Sequence, residues 1–404
     1  MDFEIDPADE VFRSSVRTYI RDKMLELFPE RLAGGHTQTP FSRDDLRRWT
    51  GALSERDLLV PHWPSEWGGA NWRSNWRRIL GEELAAAQAP LTDVIGTDFV
   101  GPVLCAFGSA AQRRRYLPRI RNGEDTWCQG FSEPDAGSDV MSLRTSAVRE
   151  RDDYIINGRK LWTTNAHTAD MMFALLRIVT PGARKQQGLS FLLLDMRAPG
   201  VTVRPVIMID GGHHVNEVLL ENVRTPVTNL VGEPGKGWVY ARYLLTNERQ
   251  VVAGLGWVWA ILAGARRALE TEQERGVPLL VAKPTLRVQL AQLEVELQAL
   301  EFMELRLLNT RTADAANQAL APMLKLRATE LRQRITEFLL QALGTRALEC
   351  PADYYGPNEP SPLSPPSEDM KHVTRNFLFQ RSATLAGGTS ETQRNVIAAV
   401  GVGL

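Results

Sequence analysis

Residues 160–178 read KLWTTNAHTADMMFALLRI and contain two short runs, KLWTTNA and MMFALLRI, of the β-branched, aromatic and aliphatic residues that are typical of strands. Five similar runs lie on either side of this pair: TWCQGFSE (126–133), TSAVRERDDYIING (145–158), LSFLLLDM (189–196), VTVRPV (201–206) and NEVLLENV (216–223). Turn-forming pairs such as Asn157-Gly158, Pro181-Gly182 and Pro199-Gly200 separate the runs. Seven runs with no helical stretch between them predict a compact β-barrel or β-sandwich domain over residues 126–236.

A helical pattern precedes this β-domain, over residues 1–125. Apolar residues recur at close to helical spacing from Glu10 to Phe28. Ser42 and Asp45 resemble a capping box at the start of a second helix. Further helices are predicted over Trp76–Ala87 and Ala110–Arg121. The chain therefore begins with an N-terminal helical domain.

The helical period returns after residues 232–237 and continues over residues 237–404. Leu286–Leu308 and Ala321–Leu343 predict two long amphipathic helices, of the kind that pack in a bundle and carry subunit contacts. The proline-rich segment Cys350–Ser367 predicts a loop. The predicted fold class is thus α+β and multidomain, with a C-terminal domain that resembles a four-helix bundle.

Composition sets limits on the class of protein. The formal net charge of −1 argues against nucleic acid or an anionic membrane surface as the main partner. The three cysteines are widely separated and form no CxxC pair, which is typical of a reducing compartment. The N-terminus lacks the apolar core of a secretory signal, and no apolar run approaches the roughly 20 residues of a membrane span. We therefore expect a soluble, cytoplasmic protein.

Two segments of the β-domain could carry chemistry. Residues 129–139, QGFSEPDAGSD, form a turn of small residues and hydroxyls that could present N–H groups to a planar heterocycle, or could be an ordinary surface turn. Trp162 and Thr164 are two residues apart, so in a strand they would share one face. By periodicity alone, a core indole with a structural threonine explains this second pair better.

Together with two later segments, these motifs resemble the acyl-CoA dehydrogenase family. SEPDAGSD is similar to that family's TEPGAGSD loop, and NGRKLWTTNAHTAD is similar to its NGxKxWITNAxxAD strand pair. LLENVRTPVTNLVGEPGKGW resembles FEDVRVPxxNLLGxxGxGF, and AGGTSETQRN resembles EGTSExQRN. Four motifs in the family's order, over roughly residues 60–400, are very specific. IDGGHHVNEV (209–218) and the proline-rich segment most resemble bacterial subunits that act on dicarboxyl (pimeloyl-type) or steroid-side-chain acyl-CoAs.

The resemblance implies FAD as cofactor and an acyl-CoA thioester as substrate, oxidised to its 2,3-enoyl form with flavin N5 as hydride acceptor. It implies these roles in the β-domain motifs: Phe131, Ser132, Trp162 and Thr164 beside the isoalloxazine ring, Gly137 shaping the loop, and Ser138 near the acyl-CoA.

The C-terminal domain supplies further implied FAD contacts. Thr389 and Glu391 match cofactor positions, and Gln341 with Gly344 matches part of a Gln-x-x-Gly-Gly motif that reaches a neighbouring subunit's cofactor. Thr345 replaces the second glycine of that motif, and the usual Arg-x-x-Phe-Gly is missing at residues 274–278. The resemblance also implies a dimer or tetramer, built of one or two kinds of subunit, and an electron-transfer flavoprotein as acceptor.

The catalytic base differs from that of most of the family. The usual Glu of Glu-Gly-Thr is Gly387 here, which supplies no base. The resemblance implies that its backbone N–H still polarises the thioester oxygen, alongside a flavin ribityl hydroxyl, and that Gly388 also contacts the substrate. A minority branch, resembling isovaleryl-CoA dehydrogenase, carries its Glu on the first helix after the β-domain, and Glu248 occupies that place. We expect Glu248 to take the α-proton; the alternative is a surface or salt-bridged carboxylate, with Arg249 structural.

Two rival functions remain open on these residues. A non-catalytic partner subunit of a heteromeric dehydrogenase would explain Gly387, Thr345 and the missing Arg-x-x-Phe-Gly. A flavin oxidase or monooxygenase on the same fold would act on a non-thioester substrate. Neither a dinucleotide fingerprint at Gly254-Leu255-Gly256 nor a metal site at His213-His214 is expected.

Overall fold

The computed structural model describes residues 6–29, 41–70, 72–178, 188–309, 318–348 and 373–403, with backbone alone at residues 74, 246–252, 309, 348 and 402. The described helices are α1 (Pro7–Leu27), α2 (Arg43–Glu55), α3 (Ser74–Ala86), α4 (Gly101–Phe107), α5 (Ala110–Arg121), α6 (Gly237–Ala253), α7 (Leu255–Thr271), α8 (Leu279–Ala282), α9 (Pro284–Asn309), α10 (Leu320–Leu343), α11 (Val373–Gln380) and α12 (Ser390–Ile397). The strands are β1 (Trp127–Gly130), β2 (Ser146–Glu150), β3 (Asp153–Thr164), β4 (Met171–Ile178), β5 (Leu189–Asp195), β6 (Val201–Ile207), β7 (His213–Pro226), β8 (Leu230–Val231), β9 (Gln273–Glu274) and β10 (Val277–Pro278).

Helix α2 begins where its capping residues predict. The Ser42 hydroxyl accepts a hydrogen bond from the Asp45 N–H, and the Asp45 carboxylate accepts one from the Ser42 N–H, so α2 has the predicted capping box. Helix α5 has the predicted bounds. The sequence did not predict the π-helical turn Ile95–Val100 or α4, because glycines at both ends and Pro102 interrupt the apolar period there.

The β-domain is one eight-stranded mixed sheet, in which seven strands follow the order β6-β7-β3-β2-β4-β5-β8 and β1 pairs with β4 off this path. Two strands pair in parallel with the same edge of β4. Strand β1 pairs with the first half of β4, and β2 pairs with the second half. Alternate residues of β4 and β5 belong to two different hydrophobic clusters, one shared with the N-terminal helices and one on the other face of the sheet. Burial of both faces explains why MMFALL is continuously apolar and why LSFLLL is apolar except for Ser190, whose hydroxyl accepts a hydrogen bond from the Gly235 N–H.

The C-terminal helices pack around their own core. The two long helices predicted from the sequence are observed as α9 and α10, and they pack against each other and against α7 around buried leucines such as Leu297 and Leu331. Cys350–Ser367, the predicted loop, lies outside the described residues. Among the helices in the described part of the chain, none combines the length and the hydrophobicity needed to cross a bilayer.

Candidate active site

The first candidate segment is a bulge in strand β3 at Trp162. The pairing of β3 with β7 shifts register between Lys160 and Thr163, and Trp162 has the left-handed φ of 60°. Before the bulge the even-numbered residues Ile156 and Lys160 face inward; after it Thr163 is buried, while Trp162 and Thr164 are exposed. The indole is 56% exposed, so the bulge presents a flat apolar surface and a hydroxyl on one face.

The second segment, the loop that follows β1, lies against this bulge. The Leu161 N–H donates to the Ser132 carbonyl oxygen at 2.9 Å, and Glu133 pairs with Ala136 across a tight turn. Ser132 is half-buried, and Gly137 and Ser138 are exposed further along the loop. The Phe131 ring is buried edge-on against Phe173 and Phe191, with centroids 5.7 Å and 6.2 Å away, so Phe131 borders the loop with its backbone.

The third segment is the turn before α12. Gly387 and Gly388 have φ of 65° and 88°, which glycine adopts without strain. Their carbonyls are bonded inward: the Gly388 oxygen accepts from Lys325 Nζ at 2.7 Å, and Gln393 Nε2 donates to both glycine oxygens. Neither glycine N–H donates a hydrogen bond within the described residues, so both are available to a ligand oxygen.

Helix α12 begins at this turn. Thr389 is its N-cap and accepts a hydrogen bond from the Thr392 N–H. The Glu391 carboxyl lies in the first turn, where its own N–H and then the Thr389 hydroxyl lower its pKa. The turn is linked to the β-domain through α11, because Phe379 packs edge-on against His214 and Arg375 lies 3.6 Å from Asp210.

The implied intersubunit residues lie at the far end of α10. Gln341 is exposed and donates to Glu337 at 3.3 Å, and Gly344 is exposed with φ of 60°. Residues 273–278, where the Arg-x-x-Phe-Gly motif is missing, form the β9–β10 hairpin with Arg275 and Gly276 in its turn. Both features lie at the surface of the protomer.

Glu248 lies on α6, which ends at Ala253. The side chains of Glu248 and Arg249 lie outside the described residues. Gly254 has φ of 47° and separates α6 from α7, so the Gly254-Leu255-Gly256 segment joins two helices and does not follow a strand. This arrangement lacks the strand-to-helix turn of a dinucleotide fingerprint.

A cleft of about 1300 Å³ separates the N-terminal helices, the β-domain edge and the C-terminal helices. Gly254 and one face of α7, from Leu255 to Arg267, line it. Helix α3 crosses α7 at the cleft wall, where a Cβ on Gly256 would lie 2.9 Å from the Gly81 carbonyl oxygen.

Several polar side chains at the site were not predicted. Asn216 is buried; its Nδ2 donates to the Thr163 carbonyl at 3.0 Å and to His167 Nδ1 at 3.1 Å, and its Oδ1 accepts from His213 Nε2 at 2.7 Å. The buried ion pair of Lys160 and Glu133 lies beneath the bulge. Lys160 belongs to the NGRKLWTT motif, but the sequence assigned it no role.

Comparisons with known proteins cover the whole chain. Three family models match in order: the acyl-CoA dehydrogenase N-terminal domain over residues 6–124, the middle domain over 128–223 and the C-terminal domain over 235–401. The chain belongs to the acyl-CoA dehydrogenase family. A curated relative, acyl-CoA dehydrogenase IpdE1 of Mycobacterium tuberculosis, is 32% identical over 98% of this chain and 97% of its own length.

Solved structures of this family have the same fold. The ChsE4-ChsE5 complex from Mycobacterium tuberculosis matches with a TM-score of 0.82 at 28% identity, covering 100% of this chain and 99% of that chain. The Tcur3481-Tcur3483 steroid ACAD matches with a TM-score of 0.79 at 26% identity, covering 100% of this chain and 99% of that chain. The predicted family and three-part fold are thus confirmed, and the protein is an oxidoreductase of a family of FAD flavoproteins.

The residues present fit FAD. An isoalloxazine ring needs a flat apolar surface with hydrogen-bonding groups at its edge, and the exposed Trp162 indole with the Thr164 hydroxyl on the same face provides both. The adjoining loop at Ser132 adds a hydroxyl and backbone groups.

Proposed function

We propose that this protein is an FAD-dependent acyl-CoA dehydrogenase that oxidises an acyl-CoA thioester to the 2,3-enoyl-CoA, with Glu248 as the base. The observation that carries the assignment of the base is Gly387: the position that holds a glutamate in most relatives has no side chain here. Glu248 lies on the helix that another branch of the family uses instead.

We assign the cofactor to the exposed face of the β3 bulge. Trp162 would lie against the isoalloxazine ring, with Thr164 and Ser132 at its edge and Thr389 and Glu391 facing it from α12. When bound, FAD accepts the β-hydride and so supplies the oxidising chemistry. Gln341 and Gly344, exposed at the end of α10, would contact the cofactor of a second subunit.

The chain's own groups would handle the proton and the thioester. The α-proton of a thioester is weakly acidic, so the carboxylate that removes it needs to lie within hydrogen-bond reach and to be shielded from water. The free N–H groups of Gly387 and Gly388 would polarise the thioester oxygen and stabilise the negative charge that develops there. Fixed donors of this kind are worth about 3–4 kcal/mol in related chemistry.

We propose that the acyl group occupies the cleft beside α7, whose volume is about 1300 Å³. Its described lining reaches the β-domain at Asn165, Thr168 and Ala169, and it includes none of the residues assigned to the flavin or the thioester. The similar Tcur3481-Tcur3483 structure is described as a steroid ACAD. We therefore propose a polycyclic or similarly bulky acyl-CoA as substrate, in preference to the pimeloyl type.

The test of the base compares Glu248→Gln with Glu270→Gln, a matched change of an exposed carboxylate on α7. Both variants are loaded with FAD and mixed anaerobically with a bulky acyl-CoA. Loss of the base should slow flavin reduction by orders of magnitude in Glu248→Gln, while Glu270→Gln reduces its flavin at the wild-type rate. Normal reduction in Glu248→Gln would assign the proton to another carboxylate.

Partners are part of the same proposal. The similar ChsE4-ChsE5 structure is a complex of two named chains. We propose that this chain also works as an oligomer, with itself or with a second gene product, and passes electrons to an electron-transfer flavoprotein or a similar acceptor. Flavin reoxidation by oxygen alone, at catalytic rates, would instead favour an oxidase.

A further inference from the structure

Lys160 is a fully buried cation at the root of the Trp162 bulge. Its side chain has 0% exposure, and its Nζ donates to the Leu175 carbonyl at 2.7 Å, to Glu133 Oε1 at 2.9 Å and to the Phe131 carbonyl at 3.2 Å. An ammonium group has three protons, so each has one acceptor. Burial lowers the pKa of Lys160 to about 8, and the Glu133 carboxylate opposes that shift.

Glu133 is the partner carboxylate and is itself anchored twice to the backbone. Its Oε2 accepts from the Arg144 N–H at 2.6 Å, and its Oε1 accepts from the Thr145 N–H at 2.9 Å. Burial alone would raise the pKa of Glu133, but the charge of Lys160 and these hydrogen bonds outweigh it and lower the pKa. The carboxylate is therefore ionised, and both of its oxygens are bonded.

This pair joins the two segments that the proposed function assigns to the flavin. Lys160 lies on β3, two residues before Trp162. Its Nζ donates hydrogen bonds to the backbone carbonyl of Phe131 and to the side chain of Glu133, the two residues that flank Ser132. The Leu161 N–H bonds the Ser132 oxygen between them. A shift of either charge would therefore move the loop relative to the indole.

Fold stability alone does not require these charges. A buried ion pair costs desolvation, and well-packed apolar residues of similar volume are often as stabilising or more so. What such a pair adds is a fixed relative position, because it tolerates one geometry in which every donor and acceptor is satisfied.

We propose that Glu133 and Lys160 are positioning residues, which hold the loop at Ser132 against the Trp162 bulge and thereby set the affinity for FAD. This inference rests on the proposed function, in which those two segments face the isoalloxazine ring. Both side chains are buried, so the pair would act on the cofactor through the backbone of the loop at Ser132 and strand β3.

The test is the double variant Glu133→Gln/Lys160→Met, which removes both charges at similar volume. Its control is Leu297→Ala, a change in the C-terminal core that leaves both flavin segments intact. For each variant, the unfolding midpoint of the apoprotein and the dissociation constant for FAD are measured, the latter by quenching of flavin fluorescence. Visible circular dichroism of the bound flavin reports its environment.

The two variants should separate stability from positioning. We expect the double variant to weaken FAD binding by at least about tenfold, equivalent to about 1.4 kcal/mol, and to change the flavin dichroism. Leu297→Ala should lower the unfolding midpoint and keep wild-type FAD affinity at temperatures below it. An unchanged FAD affinity in the folded double variant would overturn the inference.

Other outcomes are also decisive. If the double variant does not fold, Glu133→Gln alone replaces it, since it keeps the shape and one acceptor; FAD affinity equal to wild type would then overturn the inference. Wild-type protein that binds no FAD would overturn the proposed function and, with it, this inference. Wild-type protein that binds FAD while both charge variants bind it equally well would overturn the positioning role alone.

Discussion

Helices α3 and α7 cross at Gly81 and Gly256, and the atomic distances at this crossing predict how alanine substitutions there change the free energy of unfolding. In Gly256→Ala, the new Cβ would lie 2.9 Å from the Gly81 carbonyl oxygen and 3.0 Å from its carbon, both backbone atoms that move only if the helices separate. Overpacking of this kind costs about 1–3 kcal/mol. In Gly81→Ala, the new Cβ meets nothing within 4 Å, and the better helix propensity of alanine gains up to about 1 kcal/mol.

The two alanine variants should therefore differ in stability by about 1–4 kcal/mol, with Gly256→Ala the less stable. Guanidinium unfolding of both apoproteins, followed by far-ultraviolet circular dichroism, measures that difference directly. Because both glycines line the cleft, Gly256→Ala should also raise KM for a bulky acyl-CoA more than Gly81→Ala does. If Gly256→Ala is as stable as Gly81→Ala, the close helix crossing, and the cleft wall it forms, are incorrect.

Three further predictions concern the base and two titrating groups. Gly387→Glu restores a carboxylate in the Glu248→Gln background and should recover part of the anaerobic flavin reduction. The φ of 65° at this position costs a non-glycine residue about 1–2 kcal/mol of stability. The control Gly387→Gln, in the same background, should recover no flavin reduction. Burial and the neighbouring His213 lower the pKa of His167 in the folded protein. The unfolded chain therefore binds a proton at this imidazole at higher pH than the folded protein does, and the free energy of unfolding falls as the pH drops below about 6.5. In denaturant titrations, His167→Gln should make the free energy of unfolding depend less steeply on pH in that range. Burial raises the pKa of Glu304 from 4.5 to about 7, so the contribution of Glu304 to stability falls as the pH rises from 4.5 to about 7. At about pH 8, Glu304→Gln should be more stable than wild type by up to about 3 kcal/mol. Equal stability of the two proteins would contradict the raised pKa.

Local patterns in the sequence were sufficient for most of the fold. The capping box at Ser42 and Asp45 and the two apolar strands β4 and β5 depend on neighbours in the chain, so spacing and residue type predicted them. The π-helical turn at Ile95–Val100 and helix α4 depend on burial against the rest of the protein. Their glycines interrupt the helical spacing of apolar residues, so the sequence did not predict them.

The sequence named candidate residues for the site but not the groups that support them. Alternation alone placed Trp162 and Thr164 on one face, but it could not show the register shift that turns that face outward after Lys160. The bonds that fix the bulge join residues far apart in sequence, such as Lys160 to Glu133 and Asn216 to Thr163. A single sequence does not pair such residues. It likewise gave no sign that the Phe131 ring is part of the core.

The central claim is that this chain oxidises an acyl-CoA thioester with its own flavin. The most direct measurement mixes the FAD-loaded protein with a polycyclic acyl-CoA without oxygen, follows the visible flavin absorbance, and weighs the product by mass spectrometry. We expect the flavin band to bleach in a single turnover and the product to have lost two hydrogens. A chain that holds no flavin, or a flavin that no acyl-CoA bleaches, would contradict the claim and favour a partner subunit or a different substrate.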